Sequence, residues 1–106
     1  MKQLVIAGIL LGLSGTVMAN EANDLFKKLP NFKQRSLLAQ VIRSSGEHCS
    51  TVNTFKYYGS RDGTAMWVAQ CSNYVGYMVG FQDDAAGSTL VMSCADLASL
   101  GADCNL

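Results

Sequence analysis

Two periods of apolar spacing divide the chain. Between Pro30 and Gly46, Leu37, Leu38, Val41 and Ile42 recur at i, i+1, i+4 and i+5, which is one apolar stripe on a helix. Lys33, Arg35, Gln40 and Arg43 break the stripe with polar positions, Asn31 is placed to cap its start, and Gly46 its end. Upstream, residues 20–29 predict a shorter helix that Asn20 or Asn23 could cap. Pro30 ends it, because the residue before a proline avoids helical dihedrals.

After Gly46 the period changes to two. Trp67, Ala69 and Cys71 alternate with Met66, Val68 and Gln70, and Val75, Tyr77, Val79 and Phe81 alternate with Gly76, Met78, Gly80 and Gln82. Residues 49–58 and 64–72 read as two strands joined by Gly59-Ser60-Arg61-Asp62-Gly63. Ser72-Asn73 reverses the chain into the third strand, and Asp83-Asp84-Ala85-Ala86-Gly87 into a fourth carrying Leu90, Met92 and Cys94. Short connections make successive strands antiparallel neighbours. The expected fold class is therefore α+β: two short N-terminal helices packed on one face of a four-stranded antiparallel meander. The tail from Ala95 is a helical turn or loop.

This pattern assigns two faces. Phe55, Trp67, Ala69, Val75, Tyr77, Val79, Phe81, Leu90 and Met92 should meet the helix at 31–45. Val52, Thr54, Lys56, Tyr58, Thr64, Met66, Val68, Gln70, Met78, Gln82 and Val91 should form an open second face. Exposed apolar patches often bind partners. The candidate partner-binding residues are thus Tyr58, Met66, Val68 and Met78, with Arg61 in the adjoining turn.

The first residues alter the picture of the core. Met-Lys-Gln, an apolar run from Leu4 to Leu13 and a small-residue exit at Val17-Met18-Ala19 are the parts of a secretory signal, with cleavage after Ala19. The apolar run is too short to span a bilayer, and no cysteine adjoins the cleavage site, so no stable membrane anchor is expected after cleavage. Residues 20–106 then form a single domain in the periplasm or outside the cell. Part of the 49% apolar content belongs to the signal rather than to the core.

An exported chain of 106 residues with four cysteines reads as a disulfide-stapled domain. Cys49, Cys71, Cys94 and Cys104 contain no Cys-x-x-Cys pair, which argues against zinc and against thiol redox catalysis. With the first turn centred near residue 60, Cys49 falls opposite Cys71 on one face, so 49–71 and 94–104 is the preferred pairing.

Charge and motifs narrow the function. Eight basic residues balance eight acidic ones, which offers no footprint for nucleic acid. His48, the one histidine, adjoins Cys49, but strand neighbours point to opposite sides, so the two do not make a nucleophile pair. Asp83-Asp84 sits in turn chemistry without a calcium-loop pattern. No phosphate loop, nucleophile elbow or zinc-protease motif occurs, and nothing calls for a cofactor or a metal. The expected role is a non-enzymatic module that binds a protein partner in the envelope or outside the cell. The alternative is a small-ligand-binding protein or minor enzyme with a pocket between helix and sheet.

The run Gly46, Cys49, Gly63, Trp67-Val68, Cys71-Ser72-Asn73, Tyr77 and Val79 resembles small exported proteobacterial proteins of unassigned function, over roughly residues 37–82. Their Trp-x-Val-x-Cys pattern has the same spacing between tryptophan and cysteine but places the valine one residue later, where this chain has Ala69. Two helices followed by four antiparallel strands also resembles one domain of beta-lactamase inhibitory protein and PepSY-type modules. That likeness implies a binding role through a sheet face or loops.

Overall fold

The computed structural model describes residues 20–104, so the expected signal segment, residues 1–19, lies outside the described residues. The order is α1 (Glu21–Lys27), α2 (Asn31–Ser44), β1 (Val52–Arg61), β2 (Thr64–Cys71), β3 (Gly76–Gln82), β4 (Thr89–Ser93) and α3 (Cys94–Ser99). The strands form one antiparallel sheet in the order β1-β2-β3-β4. The α+β meander expected from the sequence is present. The tail, expected as a helical turn or loop, forms the short helix α3, so the helices are not all N-terminal.

Local chemistry sets the helix ends. Asn20 caps α1, its side chain accepting from the Asn23 amide at 3.0 Å. Pro30 stands at the cap of α2, one residue before the expected Asn31, and offers no side-chain acceptor. Gly46 closes α2 with φ 95°: its amide donates to the Arg43 carbonyl and the Glu47 amide to the Ile42 carbonyl, the paired bonds of a Schellman motif. Ser93 caps α3 by accepting from the Asp96 amide at 3.1 Å.

Phe26 of α1 and Leu38, Ala39 and Ile42 of α2 share one buried cluster with Val52, Trp67, Ala69, Tyr77, Val79 and Phe81. At its centre the Phe26 ring lies 4.8 Å from Trp67, edge to face, and 5.1 Å from Phe81. Trp67 is further flanked by Tyr57 and Phe55. Its indole N–H needs an acceptor once buried, and Asn23 Oδ1 supplies one at 2.7 Å. Asn23→Leu strands that donor in an apolar setting. A loss of about 1–3 kcal/mol is expected in urea unfolding, and an unchanged midpoint would show that the bond contributes nothing.

Register corrects several face assignments. Val79 pairs with Val91, Gly80 with Leu90 and Met78 with Met92. Val91 therefore lies with the Trp67 set, whereas Leu90 and Met92 lie on the Met78 side, one residue out of step with expectation. Val52 pairs with Cys71 and is buried with the Trp67 set rather than lying on the second face, because a bulge between Val52 and Thr54 shifts the alternation. Val75 precedes β3, follows Tyr74 at φ 66°, and is exposed. The first turn is also tighter than expected. Arg61 pairs with Thr64, which leaves Asp62 and Gly63 as a two-residue connection with φ 53° and 80°.

Both cysteine pairs are bonded as expected, Cys49–Cys71 and Cys94–Cys104. The ladder argument behind the first pair does not hold, since Val52, not Cys49, stands opposite Cys71. Cys49 reaches Cys71 from the segment ahead of β1.

Candidate functional site

The alternate strand positions from the Trp67 set carry a second buried cluster. Val68, Met78 and Cys104 are buried together, with Met66, Cys94 and Leu97 packed against them. Val68 is 0% exposed and Met78 4%. This corrects the expectation of an open face. The Cys94–Cys104 bond draws the tail back over β2 and β3, and α3 and Cys104 cover the centre of the Met78 side. Tyr58 strengthens the closure, its hydroxyl donating to the Asp103 carbonyl at 2.6 Å.

The cover is partial. A cleft of about 460 Å³ remains between the β1–β2 hairpin and the tail, lined by Tyr58, Gly59, Ser60, Arg61, Met66, Met78, Leu97 and Ala102. Four of the five predicted partner-binding residues thus meet at one place: Tyr58, Arg61, Met66 and Met78. Val68 lies beneath the tail and reaches no surface. Sequence reasoning missed Leu97 and Ala102, which form the tail-side wall. Their signal was the cysteine spacing, since a pair ten residues apart must fold the intervening segment into a compact arch.

Local sequence explains the cleft's shape. A second bulge, between Tyr57 and Gly59, offsets Tyr58 from the regular ladder. Gly80 also shapes this side of the sheet. A Cβ at residue 80 would lie 2.8 Å from Thr64 Cγ2 and 3.0 Å from Leu90 Cδ1, so those two side chains occupy the space that glycine leaves. Chemically, the cleft offers flexible thioethers on its floor, a leucine on one wall and a guanidinium at the rim. Methionine surfaces adapt to varied apolar groups, and an arginine rim selects carboxylates.

No protein-family profile, curated protein or solved structure matches this chain. The site must therefore be judged on its geometry.

The other candidate groups are placed elsewhere. His48 is exposed, and its carbonyl accepts from Asn73. Asp84 accepts from the Ser88 amide at 2.9 Å, and that bond holds its carboxyl below the usual range. Burial pushes the Tyr77 hydroxyl above its usual range, and the nearby Glu47 carboxylate, 3.4 Å away, adds to the shift. Neither perturbed group lines the cleft. Among the described residues no three His, Cys, Asp or Glu side chains converge as metal ligands, and no helix is long and apolar enough to cross a membrane.

Proposed function

We propose that this chain is a non-enzymatic protein-binding module acting in the periplasm or outside the cell, of inhibitor, immunity or accessory type. Its contact surface is the cleft of Tyr58, Arg61, Met66, Met78 and Leu97. The observation that carries this reading is an apolar, methionine-floored cleft held open at the surface, with a cation at its rim. The partner it suits presents an apolar side chain to the thioethers and a carboxylate to Arg61. The two disulfides favour an oxidising compartment, which agrees with an export signal over residues 1–19.

Cross-linking in the native envelope, followed by pull-down and mass spectrometry, tests the site. Arg61→Glu, at an exposed position, and Met66→Gln, at a half-buried one, should each abolish recovery of a specific cross-linked protein and leave the far-ultraviolet spectrum unchanged. Recovery of the same protein by both variants would remove the cleft from consideration.

One observation favours a second reading, ligand binding between helix and sheet. The ring packing around Trp67 fills the space beneath α1, but a groove of about 390 Å³ opens between α2 and the start of β1.

A further inference from the structure

We propose that the groove between α2 and β1 binds an extended, carboxylate-bearing peptide, which adds to the sheet as a short strand beside Val52. This site shares no residue with the Met66 cleft, so it stands or falls separately from the function proposed above.

Backbone direction comes first. β1 is an outer strand of the sheet. The Thr51 carbonyl accepts from the Ser72 amide at 2.9 Å and so points inward, toward the end of β2. In extended chain, neighbouring residues direct their backbone groups to opposite sides. Val52 is in register with Cys71, so its own amide and carbonyl point outward, on the side of the groove that Val52 lines. An edge donor and acceptor facing a groove beside a helix is the arrangement that strand addition uses.

Charge and shape select the occupant. Arg35 and Arg43 both line the groove, and its lining contains no carboxylate. Arg43 bonds the Cys49 and Ser50 carbonyls through Nη1 alone, and Nη2 carries two further donors. Two guanidinium groups in a lining without a carboxylate attract an anion, and their planar forks fit a carboxylate in bidentate fashion. Phe32 stands at the mouth, 69% exposed, and provides an apolar surface for a side chain of the incoming strand. The volume, about 390 Å³, suits a few residues of peptide rather than a folded domain.

The test is selection from a display library of random seven-residue peptides with free C-termini, followed by fluorescence anisotropy on labelled synthetic hits. Enriched peptides should carry Asp, Glu or a required terminal carboxylate among β-branched residues. Arg35→Glu, at an exposed helix position, should weaken them by about tenfold or more, and Arg35→Gln by less. N-methylation of alternate peptide amides should also abolish binding, because it removes the edge bonds. In nitrogen-15 spectra the Val52 and Asn53 amides should shift on titration. Four outcomes would overturn the proposal: no acidic enrichment, binding indifferent to Arg35→Glu, glutarate binding as tightly as the peptide, or amide shifts confined to Tyr58 and Met66. The last would locate peptide binding in the other cleft and leave the first reading intact.

Discussion

Phe26→Ala is expected to destabilise the domain by about 3–5 kcal/mol, the range for truncating a fully buried phenylalanine. Phe26 is 1% exposed, and its ring packs against those of Trp67, Phe81 and Phe55. Removing it leaves a void that flat, stiff rings cannot close by small rotations. It also frees α1, a helix of seven residues and too short to persist alone. Small domains have about 5–15 kcal/mol in total, so the variant should melt tens of degrees lower or populate the unfolded state at room temperature. Thermal unfolding followed by tryptophan fluorescence measures this directly. A loss below about 1 kcal/mol would mean that α1 is peripheral to the core rather than part of it.

The second large effect is removal of the Cys49–Cys71 bond. Its partners are 22 residues apart, and the chain-entropy model assigns a loop of that length about 3 kcal/mol. Both sulfurs are buried in the main cluster, so replacement by alanine also loses packing. Cys49→Ala/Cys71→Ala should therefore lower global stability by about 3–5 kcal/mol in denaturant titration. The comparison with Cys94→Ala/Cys104→Ala is informative. That bond spans ten residues and holds only the tail. Its loss should raise amide exchange at Val68 and Met78 and increase dye binding to newly bared apolar surface, with a smaller change in the global midpoint. Equal midpoint shifts for the two variants would show that the tail belongs to the main cooperative unit.

The elements were legible in the sequence because two periods, 3.6 and 2, do not overlap in this chain. The stripe Leu37, Leu38, Val41 and Ile42 gave α2, and the alternation around Trp67 and Tyr77 gave β2 and β3. What escaped was register. Two bulges in β1 insert residues that no periodicity announces, and they moved Val52 to the buried side and Tyr58 off the ladder. The Asp62-Gly63 pair was the stronger turn signal and was subsumed in a five-residue loop. The β4 faces went wrong for a simpler reason, since Leu90, Val91 and Met92 are consecutive apolar residues and fit either phase. The cleft was half legible. Its β residues came from alternation, but its α3 wall depends on a tail whose position is fixed by a covalent bond rather than by pattern.

The same two bulges bear on how the protein behaves in crowded solution. An outer strand of ten residues is a template on which other chains can polymerise. Here the irregularities at Asn53 and Tyr58 divide the ladder into short runs, the longest being Thr54 to Tyr57, and Lys56 and Arg61 place positive charge along the strand. Short regular runs and charge along an edge disfavour pairing with the edge of another molecule. The bend at Tyr58 that shapes the cleft, together with the one at Asn53, therefore also works against fibre formation.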